Sequence, residues 1–281
     1  MSQRILVTGA TGFVGRQVMR SLTMHNVELI PVVRVGKEHL VADYPRVTTV
    51  MSTDDLFAQD EQWWIEQCQG IDTVIHLAWY AEPGHYLHSE RNLSCLAGTL
   101  TLAHACITAG VRRFVGIGTC FEYDLSQGGL LHPDTPLKPL SLYAATKASV
   151  FQVLQHWLPA TGVEFAWCRL FYLYGEGEDA RRLVPYIREK LSTGQAAELT
   201  SGQQIRDFLD VRDAGAMIAE CALSDEQGAR NVCSGVPITV RQLAERIADE
   251  YGRRDLLRFG ARPDNVFDPP CVVGVREESK T

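Results

Sequence analysis

An apolar run near the N-terminus breaks into three evenly spaced glycines, and this pattern decides the fold class. Residues 5–8 have the length of a strand, Gly9, Gly12 and Gly15 follow, and the apolar positions of residues 16–22 recur at helical spacing. Gly9 permits a tight turn, Gly12 removes a side chain where backbone approaches a pyrophosphate, and Gly15 lets helix and strand pack closely. The helix N-terminus presents free N–H groups and a positive dipole end to phosphates. The pattern favours a dinucleotide site over an ordinary turn, in an α/β fold with a Rossmann-type doubly wound parallel sheet.

The composition is that of a globular protein and argues against several kinds of partner. The 281 residues are 46% apolar and 22% charged, with a net charge of −7 and a pI near 5.6. Basic residues are scattered, which argues against nucleic acid or an anionic membrane. The N-terminus enters a strand directly and no apolar stretch reaches the ~20 residues of a membrane span, so we expect a cytoplasmic protein. Eight widely spaced cysteines predict reduced thiols and no metal site.

The second predicted strand, residues 27–35, ends where such a sheet meets the adenosine ribose. This end carries Arg34, with Lys37 close behind. An acidic residue here would hold the ribose hydroxyls and repel a 2′-phosphate, whereas a guanidinium pairs with one, so Arg34 favours NADP over NAD. If Arg34 stacks on adenine or faces water, NAD would serve equally. A third short strand is predicted at residues 47–51.

A buried strand is predicted at residues 70–78, and a loop rich in aromatic side chains follows it. His76 is interpreted as core filler in preference to a catalytic group. The loop begins with Trp79 and Tyr80, and a helical pattern runs over residues 92–109. Aromatic side chains at the C-terminal end of a strand suit a substrate pocket, although they would also cover a sheet edge.

A hydroxyl, a phenol and an ammonium follow in an order that suits proton transfer. The predicted strand 111–119 ends in Thr119, and Tyr143 and Lys147 lie in a helical pattern after a loop. At positions i and i+4 of a helix, the two side chains share one face. A tyrosine near its ordinary pKa of ~10 needs a cation that favours the phenolate, and Lys147 would supply that charge.

The whole order resembles the extended short-chain dehydrogenase/reductases, a group of nucleotide-sugar epimerases, dehydratases and ketoreductases. The spacing Gly-x-x-Gly-x-x-Gly and the later Tyr-x-x-x-Lys carry the resemblance first. Residues 165–175 are similar to the sixth strand of that family and its following loop. Residues 202–213 are similar to the segment that brings an arginine to the substrate diphosphate, and residues 239–248 to a helix of the C-terminal lobe.

The resemblance implies a division into two parts. We expect a dinucleotide-binding Rossmann domain at residues 1–170, with a returning segment at about 203–235. A small α/β substrate lobe would comprise about 171–202 and 236–281. The family commonly dimerises through the helix of residues 92–109 and the helix that carries the catalytic tyrosine, so a homodimer is expected.

The resemblance also implies which side chains touch cofactor and substrate. The catalytic residues would be Thr119, Tyr143 and Lys147. The cofactor would contact Gly9, Thr11, Gly12, Phe13, Val14, Gly15, Arg34, Asp55, Leu56, Leu77, Ala78 and Asn92, together with Tyr143 and Lys147. The substrate would contact Trp79, Tyr80, Tyr172, Arg206 and Arg262.

Three departures from the family pattern bear on the reaction. Cys120 and Phe121 follow the catalytic threonine where 4,6-dehydratases carry Asp-Glu, and Glu122 falls one place late, on the other face, which argues against dehydration. Tyr172 replaces an asparagine common in the loop after the sixth strand, which leaves open how nicotinamide or sugar is held. The chain ends in a short polar tail sooner than many relatives, which predicts a small lobe.

We therefore expect an NAD(P)-dependent oxidoreductase that reduces a keto group of a nucleotide-linked 4-keto-6-deoxyhexose. Tyr143 would donate a proton to the carbonyl oxygen, Thr119 would hydrogen-bond that oxygen, and Lys147 would hold the nicotinamide ribose. The alternative is an NAD-dependent nucleotide-sugar epimerase, which uses the same three residues. A non-catalytic NADP-sensing regulator is disfavoured, because both Tyr143 and Lys147 are retained. The nucleotide and the sugar stay open.

Overall fold

Strands and helices alternate along most of the chain. A computed structural model describes residues 2–265 and 268–276. The strands, in chain order, are β1 (Gln3–Thr8), β2 (Val27–Arg34), β3 (Met51–Thr53), β4 (Thr73–His76), β5 (Arg113–Thr119), β6 (Leu130–Leu131), β7 (Glu164–Leu170), β8 (Tyr172–Tyr174), β9 (Ala197–Leu199), β10 (Ile205–Asp210), β11 (Gly228–Val232), β12 (Pro237–Thr239), β13 (Leu257–Phe259) and β14 (Cys271–Gly274). The helices are α1 (Phe13–Leu22), α2 (Glu61–Gln67), α3 (Arg91–Ala109), α4 (Leu142–Ala160), α5 (Leu183–Ser192), α6 (Val211–Leu223) and α7 (Val240–Tyr251).

The main sheet contains seven parallel strands in the order β11-β7-β5-β4-β1-β2-β3. Helices α1 and α6 pack on one face, and α2, α3 and α4 pack on the other. Strands β4 and β5 are buried throughout, as expected for parallel strands that are covered on both faces. This arrangement confirms the predicted Rossmann-type doubly wound sheet. The direction of winding reverses beside β1, and such folds bind ligands in the crevice at the C-terminal ends of the strands there.

A second sheet belongs to a smaller lobe. Its strands run in the order β12-β10-β14-β6, with β8 paired to β10. A separate pair, β9 and β13, packs with α5 and α7 around an apolar core that includes Ile187, Leu199, Ile247 and Leu257. The lobe therefore has its own small α/β core.

The boundary between domain and lobe differs from the prediction. The predicted returning segment begins at about residue 203, but β10 pairs within the second sheet, and only α6 and β11 return to the first. Strand β6 lies within predicted domain 1–170, yet it pairs with β14 of the lobe. Strand β14 itself lies in the tail predicted to be polar, and its Val272 and Val273 are fully buried. The tail residues 277–281 lie outside the described residues.

The third strand also differs from the prediction at residues 47–51. Strand β3 spans Met51–Thr53, and Val47 makes only an isolated bridge to Leu29. Arg46 has a φ of +73°, a left-handed conformation through which a strand does not continue. Residues 47–50 therefore lie beside β2 without forming a ladder with it, and the ladder begins only at Met51.

Helix α3 is more apolar than the sequence analysis expects. Its length and composition alone would allow it to cross a membrane. Its Leu102 and Cys106 pack on the sheet in one cluster with Trp64 of α2 and Leu154 of α4. This environment is that of a core helix, and we assign α3 to the fold.

The cysteines occupy the interior. All eight are free thiols, and seven of them are buried, Cys271 being the exception. Within residues 2–265 and 268–276, no group of His, Cys, Asp and Glu side chains has the arrangement of a metal site.

Candidate active site

The glycine turn joins β1 to α1 in a conformation that requires glycine. Gly9 has a φ of +68°, and a Cβ on it would lie 2.8 Å from the backbone nitrogen of Ala78. A Cβ on Gly15 would lie 2.1 Å from the carbonyl oxygen of Gly9, so a larger residue would push the backbone apart. Gly12 donates its N–H to Gly9 over 3.0 Å and is the N-cap of α1. The turn thus sets the start of α1 against the end of β1.

This turn fits the pyrophosphate of a dinucleotide. Thr11 lies within it, and Phe13 and Val14 begin α1. The N–H groups of a first helical turn have no acceptor within the helix, and they favour an anion together with the helix dipole. The turn residues would therefore hold the two phosphates through backbone N–H groups.

Arg34 ends β2 with its side chain exposed. Its neighbour across the sheet is Thr53 of β3. Within the described part of the chain, the guanidinium has no hydrogen-bond or ion-pair partner. Its charge is therefore available to a ligand at this edge of the sheet.

The turn after β3 is fixed on α3. The Asp55 carboxylate accepts the N–H of Phe57 over 2.9 Å and caps a short helical turn that contains Leu56. Gly98 of α3 allows this approach, because a Cβ on it would lie 2.7 Å from Cα of Phe57. The Asp55 carboxylate thus caps this turn. A contact with adenine would come from other atoms at the surface of the turn.

His76 is a buried structural residue, as the sequence analysis prefers. Its Nδ1 pairs with the hydroxyl of Thr8 and its Nε2 with that of Thr99, each over 2.9 Å. Burial lowers the pKa of His76 to about 3, so the ring is neutral near pH 7. The next residues, Leu77 and Ala78, donate their N–H groups to Thr8 and bring the end of β4 beside the glycine turn.

Trp79 and Asn92, assigned by resemblance to substrate and cofactor, are bonded to each other. The indole Nε1 donates to Asn92 Oδ1 over 2.8 Å. The buried Asn92 amide also donates to the carbonyls of Tyr86 and Ser89, over 2.7 and 2.8 Å. Asn92 therefore folds the loop that begins at Trp79, and its side chain is committed to that loop rather than to the cofactor.

Tyr80 contacts polar side chains on the same loop and at the start of α3. Its hydroxyl donates to Glu82 over 3.0 Å, and the guanidinium of Arg91 lies 5.1 Å from its ring centroid. The structure thus separates Tyr80 from Trp79, whose ring lies against the Lys147 ammonium.

Thr119 ends β5 and opens a short helical turn over Cys120–Glu122. Its N–H donates to Glu122 Oε1 over 2.8 Å, and its hydroxyl accepts the N–H of Phe121 over 3.4 Å. The same hydroxyl lies close enough to the phenol of Tyr143 to lower its pKa. The strand end therefore presents a hydroxyl directly to the tyrosine.

Tyr143 and Lys147 lie on one face of α4, one turn apart. Lys147 is only 3% exposed, and its Nζ donates to the carbonyl of Ile117 over 2.5 Å. The ammonium lies 4.1 Å from the ring centroid of Trp79 and 5.9 Å from that of Tyr143. The structure thus brings Thr119, Tyr143 and Lys147 together at the C-terminal end of β5.

The charges around Tyr143 correct one expectation. Burial raises the pKa of Tyr143 above its ordinary value, the neighbouring Tyr86 raises it further, and the Thr119 hydroxyl acts in the opposite direction. Burial also lowers the pKa of Lys147 to about 8, against the negative charge of Glu122. The net shift of the Tyr143 pKa is therefore upward, opposite to the direction expected from Lys147, because loss of water disfavours the phenolate. The phenol is held protonated.

Glu122 has a role that sequence reasoning missed. Its buried carboxylate accepts from Nε of Arg169 over 2.7 Å and from the indole of Trp167 over 3.1 Å, besides the backbone of Thr119. A Cβ on Gly118 would lie 2.2 Å from the Trp167 indole nitrogen, so the packing is tight. The ion pair ties the end of β5 to β7 and fixes Thr119. Glu122 faces the interior, as predicted from its place one residue later than the acidic pair of the 4,6-dehydratases.

Arg206, predicted to bind the substrate diphosphate, is 2% exposed and already paired. Its Nη2 lies 2.7 Å from Oδ1 of Asp268, its Nη1 donates to the carbonyl of Ile205, and its guanidinium lies 5.2 Å from the ring centroid of Tyr172. Tyr172 in turn packs edge-on against Phe121, which follows Thr119 by two residues. Tyr172 therefore links the arginine to the C-terminal end of β5.

Arg262 lies elsewhere in the lobe. Its Nη2 donates to the hydroxyl of Tyr186 over 3.0 Å, and its guanidinium stacks 4.7 Å from that ring. The side chain is exposed. The two predicted phosphate-binding arginines thus have separate partners, Asp268 and Tyr186, which sequence reasoning missed.

The fold and the site define a dinucleotide-binding protein with a tyrosine and a lysine at the carboxyl edge of its parallel sheet. Residues 5–233 match the NAD dependent epimerase/dehydratase family. The chain belongs to this family and is an enzyme, which confirms the resemblance seen in the sequence.

Individual relatives are similar over nearly the whole chain. A dTDP-6-deoxy-L-talose 4-dehydrogenase (NAD(+)) of Aggregatibacter actinomycetemcomitans is 24% identical over 280 residues, which cover 97% of this chain and 99% of that protein. The UDP-N-acetylglucosamine 4-epimerase of Methanobrevibacter ruminantium M1 has a TM-score of 0.85 at 21% identity, covering 98% and 90% of the two chains. The dTDP-glucose 4,6-dehydratase of Streptomyces venezuelae, solved with NAD bound, has a TM-score of 0.81 at 22% identity, covering 98% and 88%. These structures share the fold of this chain.

Proposed function

We propose that the protein is an NAD(P)-dependent reductase of a nucleotide-linked 4-keto-6-deoxyhexose, with Tyr143 as the proton donor. The observation that carries the proposal is the convergence of Thr119, Tyr143 and Lys147 beside the glycine turn. The name of the Aggregatibacter relative, a 6-deoxy-sugar 4-dehydrogenase, supports the same class of substrate.

The reaction divides between the nicotinamide and the chain. The bound nicotinamide supplies the hydride. The Tyr143 hydroxyl gives its proton to the carbonyl oxygen as that oxygen gains charge, and the Thr119 hydroxyl donates a hydrogen bond to the same atom. The Lys147 ammonium stabilises the phenolate left on Tyr143 and would hold the nicotinamide ribose. The phenolate then regains a proton from water, so that one carbonyl becomes one alcohol.

Arg34 favours net reduction over epimerisation, because a 2′-phosphate site suits a reductase that exchanges NADPH, whereas epimerases retain tightly bound NAD. Cys120 and Phe121 supply no carboxylate beside Thr119, so the acid and base of a dehydration are absent from these two positions. The epimerase stays the second candidate, because similarity to the Methanobrevibacter epimerase extends over nearly all of the chain.

The proposal also includes a preference of the enzyme for NADP over NAD. Arg34 is exposed at the end of β2, with its charge free for a 2′-phosphate. The Aggregatibacter relative carries NAD(+) in its name and the Streptomyces structure holds NAD, so Arg34 alone supports NADP in this chain.

The test begins with the purified protein and its bound nucleotides, released by acid and identified. A reductase should release little NAD, and it should oxidise NADPH when given a nucleotide-linked 4-keto-6-deoxy sugar. Tyr143→Phe should bind NADPH normally and lose ~10²- to 10⁴-fold in kcat, the usual worth of general acid catalysis. Near-stoichiometric NAD without net reduction would instead identify an epimerase, and a Tyr143→Phe variant with undiminished turnover would contradict the mechanism.

We also propose a homodimer through α3 and α4. Leu93 on α3 is 50% exposed and Val153 on α4 is 43% exposed, and a second copy would bury these apolar side chains symmetrically. Light scattering at micromolar concentration should give twice the mass of the chain. A monomer under these conditions would exclude the dimer.

A further inference from the structure

Tyr86 lies against the catalytic tyrosine. The two rings are packed edge to face, with centroids 4.8 Å apart and planes at 88°. This is a favourable geometry for an aromatic pair, because the positive edge of one ring meets the negative face of the other. No other ring among the described residues has its centroid within 5 Å of the Tyr143 centroid. Tyr86 is therefore placed to set the orientation of the Tyr143 ring.

The loop that carries Tyr86 is itself fixed on both sides. The N–H of Tyr143 donates to the carbonyl of Leu87 over 3.0 Å, so the loop is attached to the start of α4. The buried Asn92 amide holds the carbonyl of Tyr86 over 2.7 Å. Both hydrogen bonds are made by main-chain groups next to the Tyr86 side chain. They therefore fix the position of the Tyr86 ring relative to the Tyr143 ring.

The lobe supports Tyr86 from its other side. The guanidinium of Arg182, the residue that precedes α5, lies 5.7 Å from the Tyr86 ring centroid. Arg181 lies 3.8 Å from the Glu82 carboxylate on the same loop. Tyr86 is thus enclosed between the catalytic tyrosine and a segment of the substrate lobe.

We propose that Tyr86 is a positioning residue: its ring fixes the Tyr143 phenol toward Thr119 and connects that orientation to the lobe through Arg182. The inference rests on the proposed function only in that Tyr143 is the proton donor. The carbonyl of the substrate must lie within hydrogen-bond reach of the phenol, and proton transfer depends steeply on this geometry. A misplacement of about 1 Å is enough to cost about a hundredfold in rate.

The test compares three variants. Tyr86→Ala removes the ring, Tyr86→Phe keeps the ring and removes the hydroxyl, and His88→Ala is a matched control at an exposed position of the same loop. Tyr86→Ala should lower kcat about 10- to 100-fold with the KM for NADPH unchanged, whereas Tyr86→Phe and His88→Ala should stay close to wild type. The deuterium isotope effect with 4-deuterated NADPH should rise in Tyr86→Ala, because the chemical step becomes slower than product release. A Tyr86→Ala enzyme with the kcat and the isotope effect of wild type would overturn the proposal.

A readout without turnover separates this inference from the proposed function. In protein labelled with 3-fluorotyrosine, the ¹⁹F resonance of Tyr143 is identified by its loss in Tyr143→Phe. Tyr86→Ala should broaden or split that resonance, because the ring then samples more than one orientation, and Tyr86→Phe should restore one sharp line. If the wild type reduces no nucleotide sugar but shows this pattern, the proposed substrate is wrong and the positioning role stands. One sharp Tyr143 line in Tyr86→Ala would contradict the positioning role whatever the substrate.

Discussion

The cofactor side and the substrate side of this site are built in different ways. On the cofactor side, the turn from Gly9 to Gly15 is formed by backbone that no side chain obstructs, and Arg34 is exposed. On the substrate side, Arg206 is buried against Asp268, and Arg262 is bonded to Tyr186. We therefore expect the cofactor to bind groups that have no partner to give up among the described residues. A substrate diphosphate that binds Arg206 would instead have to displace the Asp268 carboxylate.

The cofactor side also carries a cost in the free energy of folding, because it buries a charged side chain. Lys147 is buried on the cofactor side beside aromatic rings, and its ammonium has one backbone carbonyl as a hydrogen-bond acceptor. Burial of this kind is unfavourable for a charged group unless the charge is paired. The proposed function thus requires a lysine at a place where the fold alone would favour an apolar side chain.

The largest effect on stability that we predict follows from this lysine. The pKa of Lys147 falls from 10.5 to about 8, so between these pH values the unfolded chain holds a proton that the native chain has released. Stability therefore rises with pH through this window, and below it the native state carries the full penalty, roughly 3 kcal/mol. Lys147→Met should remove the penalty. Its free energy of unfolding near pH 7 should exceed that of wild type by up to about 3 kcal/mol, although turnover is lost.

Urea denaturation at a series of pH values measures this difference. The gap between Lys147→Met and wild type should narrow as the pH rises from about 8 toward 10.5. Lys138→Met, at a lysine that is 60% exposed, serves as the control and should change the stability little at any pH. A gap that is the same at pH 7 and at pH 10 would show that the ammonium is not penalised in the native fold.

Sequence reasoning succeeded where the signal is local. The glycine turn lies within one short segment, and Tyr143 and Lys147 are one helical turn apart, so spacing alone places them. The convergence of Thr119 with this pair also follows, because the helix that follows a parallel strand begins at the edge of the sheet where that strand ends.

What sequence reasoning missed depends on pairs that are distant in the chain. Glu122 and Arg169 are separated by 47 residues, and no local pattern joins them. The same holds for Arg206 with Asp268. Strand β10 pairs in the second sheet, contrary to the prediction, for a similar reason, since its strand pattern does not reveal whether β11 or β14 lies nearby. Tyr86 belongs to the predicted aromatic loop, but the loop has no periodicity, so nothing in the sequence predicts which of its rings meets Tyr143.

The second prediction tests the substrate side of the comparison. Arg206→Ala should raise the KM for the nucleotide sugar roughly 30-fold, about 2 kcal/mol, because a charge-assisted bond to phosphate is lost. Asp268→Asn should lower the KM, since the carboxylate no longer competes with phosphate for the guanidinium. The affinity for NADPH should be unchanged in both variants.

Thermal denaturation serves as the control for both changes. Removing one partner of a largely buried ion pair destabilises a protein, so a modest loss of stability is expected in each variant. The KM values must be compared at a temperature where both variants are folded. An Asp268→Asn variant with a higher KM would show that the ion pair holds Arg206 ready for the substrate, and the comparison between the two sides would fail.

The smallest predicted effect concerns Arg34, whose guanidinium has no partner within the described residues. Its free guanidinium should bind the 2′-phosphate of NADPH in the bidentate manner that a ribose hydroxyl cannot match. Arg34→Ser should weaken NADPH binding roughly tenfold, about 1.4 kcal/mol, and leave NADH binding nearly unchanged. Arg34→Asp should go further and reverse the preference, because a carboxylate repels the phosphate and accepts from ribose hydroxyls. Fluorescence titration of each variant with both cofactors measures these affinities, and rising salt should reduce the NADPH advantage because the site is exposed. Equal weakening of both cofactors would mean that Arg34 contacts adenine, and a wild type that binds NADH at least as tightly as NADPH would remove the proposed preference.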